Sequence, residues 1–209
     1  MAKAGEIFVL CVLFMTPCCC ILYACVCTKT FFAIHPALNS ISQLLLAPMA
    51  LFAMSEKKKS SSHMRRVRLT KIHFACQLLA FTCMLAGGIV IYMNKQMTQK
   101  QHFTSLHSWV AVLSFGLYTL SLLRGIMRTV CAGRIVKWLW RDTYHRVGGF
   151  GGSVLGAMSA VLGLYSGMWG LNHFGDQNRF NLALMIVLGY LFLLGRTLVA
   201  DQNAHRNTS

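Results

Sequence analysis

The chain has 209 residues, of which 56% are hydrophobic and only 12% charged, with a formal net charge of +15. The charge alone would suit a nucleic-acid binder, but the basic residues gather in short connections between apolar runs, the pattern that orients membrane proteins. Nine cysteines lie mostly inside those runs, so a disulfide framework is not indicated.

Six apolar runs of about 20 residues, each long enough to cross a bilayer's hydrocarbon core, predict an all-α membrane protein with one domain over residues 1–209. The first run, 7–27, contains Pro17 and six cysteines (Cys11, Cys18, Cys19, Cys20, Cys25 and Cys27), which read as small packing residues. It is long for a signal peptide, no clear cleavage site follows, and it reads as a retained anchor. The second, about 34–54, opens on His35-Pro36 and ends in SEKKKSSSHMRRVRLTK, a predicted loop with seven Lys or Arg against Glu56. The third, about 72–93, opens on His73 and leads into NKQMTQKQHFTS, with Lys95, Lys100 and His102. The fourth, about 106–123, opens on His107. A second basic connection follows it, with Cys131 as a candidate for acylation and Trp138 and Trp140 suited to the membrane interface, as Trp169 is further on. The fifth, about 145–168, opens on His145, and the sixth covers about 180–200.

Basic residues orient the spans. With both termini cytoplasmic, 16 Lys and Arg fall on the cytoplasmic side and four on the other, as the positive-inside rule asks.

The four histidines that open runs two to five recur in register. His35 and His73 are 38 residues apart, as are His107 and His145, so His107 follows His35 by 72 and His145 follows His73 by 72. In successive spans this sets His35 and His107 at one depth near the lumenal or extracellular face, and His73 and His145 at one depth near the cytoplasmic face. Ionisable side chains in a membrane are costly and mark function. Clustered histidine boxes for di-iron are absent, and zinc needs three or four converging ligands. Haem iron needs two, one from each of two facing helices, and the pattern supplies that twice. No CxxCH is present, so covalent c-type attachment is not indicated. The expectation is two haems b, each bis-histidine ligated, within a four-helix core of spans two to five (about 34–168), with spans one and six peripheral. Filled axial positions favour one-electron transfer over oxygen activation. No GxGxxG occurs, so the donor is a small soluble reductant. A haem-binding sensor or scaffold without enzymatic activity is the alternative.

Gly148, Gly152, Gly156, Ala160, Gly163 and Gly167 share one face of the fifth span, where either another helix or a haem can approach closely.

The order of spans, His-Pro opening the second, Lys-Ile-His opening the third and Ser-Leu-His-Ser-Trp (105–109) opening the fourth resemble the cytochrome b561 family over about residues 30–200. The resemblance implies a transmembrane reductase that takes electrons from cytoplasmic ascorbate and delivers them to monodehydroascorbate or ferric iron beyond the membrane. Lys71 matches a cytoplasmic lysine associated with ascorbate in the family; anchoring at the membrane surface explains it equally well. The arginine-containing motif that ends the second span in better-known members is LFAMSEKKK in this chain. Lys71, Arg68, Arg141 and Arg146 lie within about five residues of an inner histidine and would attract an anionic donor. Lys95, Lys100 and His102 are candidates to bind the acceptor, or form a solvated loop. An endoplasmic-reticulum or vesicle membrane is expected, and a homodimer is among the assemblies the sequence permits.

Overall fold

The computed structural model describes residues 4–130 and 142–206. Cys131, Trp138, Trp140 and Arg141 lie outside the described residues. Among the described residues every regular element is a helix, and six helices are long and apolar enough to span a membrane. They are α1 (Ala4–Thr28), α2 (Phe31–Lys59), α3 (His63–Met97), α4 (Leu106–Val130), α5 (Asp142–Tyr165) and α6 (Trp169–Arg206).

The helices overrun the apolar runs that predict them. α3 begins at His63, so most of the expected basic loop is helical and only residues 60–62 connect it to α2. Lys and Arg favour helix, and the Ser62 hydroxyl caps the new end by accepting from Arg65 N at 3.5 Å. α6 begins at Trp169 and kinks at Gly175, whose φ of 67° a side chain would strain.

α2–α3 and α4–α5 are two hairpins built on one plan, with equivalent residues 72 apart. Ser42 Oγ donates to Ala80 O, and Ser114 Oγ to Gly152 O, each at 2.8 Å across its own hairpin. Serines can satisfy themselves this way inside lipid, where no water competes.

The hairpins depart from each other within α2, where residues Ile41–Leu46 form a π-helix. Pro48 lacks an N–H and its ring crowds the Leu44 carbonyl, which loosens the ladder at this turn. A π-turn accommodates one residue more than an α-turn. Gln43 O, within that turn, accepts from Tyr190 Oη of α6 at 2.7 Å.

α1 and α6 pack on each other and against α2. Leu10, Phe14, Cys18, Ile21 and Cys25 of α1 are buried with Leu182, Ile186, Tyr190 and Leu193 of α6. Phe14 lies edge-on to Tyr190 at 5.3 Å and fills the space over Gly189, where an added Cβ would come within 3.0 Å of its ring. Cys18 and Cys25 are therefore packing residues. At the end of the bundle where Lys57, Lys58 and Lys59 lie (the basic end), the buried Arg196 of α6 pairs with Glu6 of α1 and Glu56 of α2. Its Nε donates to Ser55 Oγ at 3.1 Å, and its guanidinium lies 4.6 Å over the Phe52 ring. Arg65 of α3 completes the cluster, 3.1 Å from Glu56. Among the described residues, two cations and two carboxylates from four helices thus meet around the buried Arg196 and Glu56.

Candidate functional site

Four imidazoles meet in two pairs inside the hairpin core. The rings of His35 (α2) and His107 (α4) have centroids 6.2 Å apart and planes at 89°. Those of His73 (α3) and His145 (α5) are also 6.2 Å apart, at 82°. The first pair lies at the end opposite the lysines (the far end), the second toward the basic end. Residues related by the 72-residue repeat thus face each other, one from each hairpin.

Each ring is oriented by a backbone carbonyl. Nδ1 of His35 bonds Gly87 O at 2.9 Å, and Nδ1 of His107 bonds Ser159 O at 2.9 Å, both 52 residues along the chain. Nδ1 of His73 bonds Ala50 O at 3.1 Å, and Nδ1 of His145 bonds Ser121 O at 2.9 Å. A carbonyl only accepts, so Nδ1 carries the proton in all four rings and Nε2 keeps its lone pair, the tautomer a metal ligand needs. Two metal–imidazole bonds of roughly 2 Å, with about 1 Å from each nitrogen to its ring centre, span roughly 6 Å. The observed spacing therefore suits one iron between each pair. Among the described residues no three or more His, Cys, Asp or Glu converge as a metal site; the pairs offer two ligands each, the number haem iron takes axially.

The acceptors also explain the π-turn. Ser121 lies 14 residues beyond His107, whereas Ala50 lies 15 beyond His35. The extra residue falls in Ile41–Leu46, before Ala50 and beyond Ser42. It lets α2 present Ala50 to His73 as α4 presents Ser121 to His145.

The glycines of α5 make room for side chains of neighbouring helices. An added Cβ at Gly152 would lie 3.1 Å from the Tyr118 ring, and one at Gly163 would lie 3.2 Å from His107 Cε1. At Gly156 a Cβ would collide with the Gln43 amide, and on α4 one at Gly125 would come 3.3 Å from His145 Cε1. The α5 stripe is thus a helix-packing surface, and Gly163 and Gly125 keep space beside two of the paired rings.

The profile of the eukaryotic cytochrome b561 family matches residues 34–170, which contain all four paired histidines. The chain belongs to that family. The curated relatives "Transmembrane reductase CYB561D2" of Mus musculus and Homo sapiens are 28% and 26% identical over 143 residues. The Bos taurus protein of the same name is 27% identical over 146 residues. Each match covers 68% of this chain and 64% of the relative, so the chain spans just under two thirds of their length. Cytochromes b561 are haem b proteins of membranes, and the six long apolar helices of this member fit a multi-pass membrane protein.

Of the other residues that the sequence singles out in this cytochrome b561 chain, Lys95 lies toward the His35–His107 pair. It is half-buried, its Nζ donates to Gln101 O at 2.9 Å, and its charge acts on both His35 and His107. His102 stacks on Tyr92 at 4.6 Å, whereas Lys100 is exposed. Lys71 is exposed on α3, about 200° around the helix from His73, since successive residues turn by about 100°. Lys57, not singled out from sequence, is the lysine whose charge acts on His73. Its signal was present, since it sits on the same helix as Ala50, two turns further on. Asn39, Ser121 and Ser159 also touch paired rings; serines and an asparagine inside apolar runs were their only trace.

Proposed function

We propose that the chain holds two haems b, one between His35 and His107 and one between His73 and His145. It passes single electrons from cytoplasmic ascorbate to monodehydroascorbate or ferric iron beyond the membrane. The observation that supports this is the two matched imidazole pairs, each at 6.2 Å, with every Nδ1 engaged by a carbonyl. A haem held by each histidine pair would supply one-electron transfer.

The chain's own residues do the rest. Carbonyls of Gly87, Ala50, Ser159 and Ser121 fix the four rings, so neither site has to reorganise as its charge changes. Roughly 20 Å of α4 separates the levels of His107 and Ser121, at 1.5 Å per residue, which sets the two sites toward opposite membrane faces. By the positive-inside rule the basic end is cytoplasmic. Lys57, Lys71 and the arginines of that end attract an anionic donor such as ascorbate, through a field that salt weakens. Lys95, with Lys100 and His102, does the same for an anionic radical or a ferric chelate at the far end. The relatives' name, transmembrane reductase, agrees with electron transfer by a membrane-spanning protein. The reading places the protein in an endoplasmic-reticulum or vesicle membrane, and leaves room for a homodimer.

Vesicles carrying the haem-loaded protein test it. With ascorbate confined to the basic side and a ferric chelate to the other, ferrous chelate should accumulate, and both haem spectra should show reduction. Reduction only when donor and acceptor share a compartment would sink transmembrane transfer. Haem spectra that ascorbate leaves unchanged would favour a sensor or scaffold.

A further inference from the structure

The two pairs share ring spacing and carbonyl acceptors, and differ in what else lies beside Nδ1. At the basic end Ser121 contacts His145 twice: its carbonyl accepts at 2.9 Å, and its hydroxyl oxygen lies 3.2 Å from the same nitrogen. The hydroxyl donates to His145 O at 2.9 Å. Its proton is thereby committed, and its lone pairs are what it can offer the ring N–H.

At the far end Asn39 lies beside His35. Its Nδ2 donates to His35 O at 2.9 Å and sits 3.3 Å from Nδ1. Nδ1–H and the amide N–H are both donors, so no bond joins them, and the positive end of the amide faces the positive end of the ring dipole. Reversing the amide would set oxygen against oxygen, so the contact with His35 O fixes its orientation. Gly87 makes the room: an added Cβ would come within 2.5 Å of Asn39 Nδ2. Ser159 places its hydroxyl 3.3 Å from His107 Nδ1. The basic end therefore has an added acceptor, whereas the far end has an added acceptor and an opposing donor.

An acceptor at the outer nitrogen makes the inner nitrogen a stronger base, and a more basic ligand favours ferric over ferrous iron. A donor at the outer nitrogen does the reverse. We propose that Ser121 lowers the reduction potential of the haem held by His73 and His145, and that Asn39 raises that of the haem held by His35 and His107. Transfer from the basic end to the far end then runs downhill. One electron leaves the first site and one arrives at the second, with no bond made or broken. The inference rests on the haem reading above and assigns both side chains as positioning residues.

Spectroelectrochemical titration of the haem-loaded protein tests it, with each midpoint assigned by which one survives in His107→Ala. Ser121→Ala should raise the basic-end midpoint and leave the other in place, and Ser121→Thr should restore it. Asn39→Leu should lower the far-end midpoint alone. Midpoints that stay put, move together or move the opposite way overturn the inference. Should Ser121→Ala lose its haem, Ser121→Cys, a weaker acceptor of similar size, must shift the midpoint upward, and a wild-type value there counts against the proposal. Wild-type protein without two bis-imidazole haem spectra overturns the haem reading and this inference with it. Two such spectra with unmoved midpoints overturn this inference alone.

Discussion

The α2–α3 and α4–α5 hairpins place their paired histidines, cross-hairpin serines and far-end acceptors at the same intervals. They differ in the helix that joins the two levels: α4 is regular, and α2 carries a π-turn ahead of Pro48. The comparison separates what the site requires from what it tolerates. An Nδ1 acceptor opposite each ring is kept in both hairpins, and a surplus residue in one helix is absorbed between two acceptors so that both stay in place. What accompanies the acceptor varies, with glycine or alanine carbonyls serving the first hairpin's histidines and serine carbonyls the second's.

The largest expected effect comes from breaking the pairs. Because each pair draws one ring from each hairpin, His35→Ala and His107→Ala should each remove the far-end haem. His73→Ala and His145→Ala should each remove the other, halving haem per protein in a pyridine haemochrome assay. If His35→Ala and His107→Ala bleached different spectral components, the pairing across hairpins would be wrong.

A sharper contrast comes from deleting one residue per hairpin. Removing Leu45 takes out the surplus residue, leaves Ala50 14 positions beyond His35 as Ser121 is beyond His107, and should retain both haems. Removing Leu117 from the regular α4 turns Ser121 by about 100° around the helix axis and should cost the basic-end haem. Equal haem loss in the two deletions would mean that the π-turn is not an absorbed insertion.

The smallest effect concerns the π-turn's own carbonyl. Tyr190→Phe leaves Gln43 O without its α6 donor and should cost about 1–2 kcal/mol, the usual penalty for a buried polar group losing its partner. It should be read as a lower Tm with unchanged haem content. In the Leu45 deletion the ladder re-forms, and the same substitution should add little, a coupling that a double-mutant cycle measures.

Much of this architecture can be read from the chain because its period is so regular. The 38- and 72-residue spacings identify which histidines share a depth, and the structure brings those same rings together. The glycine stripe marks a close approach but cannot name the partner, since a helix and a flat cofactor ask for the same small residues; Tyr118, Gln43 and His107 occupy it. The acceptors of Nδ1 are backbone carbonyls, which every residue has, so no sequence pattern distinguishes Gly87 or Ala50. Lys71 shows how little sequence distance says about direction: two positions from His73 is near in the sequence but on another side of a helix. The π-turn leaves only Pro48 as a sign, and a proline in a span suggests a kink more readily than an inserted residue.

Arg196 has a consequence for how the molecule is assembled. It joins Glu6, 190 residues earlier, and Glu56, 140 residues earlier, in a partly buried ion cluster completed from α6. Contacts so distant in sequence close late, because the loop entropy is lost before the contact forms. Until α6 enters the bilayer Glu56 keeps Arg65 of α3, 3.1 Å away, and lacks the contact with Arg196. α1, α2 and α6 are thus fastened together only once α6 is in place. A chain truncated before α6 should keep all four paired histidines yet persist as an incompletely docked bundle, a marked target for membrane quality control.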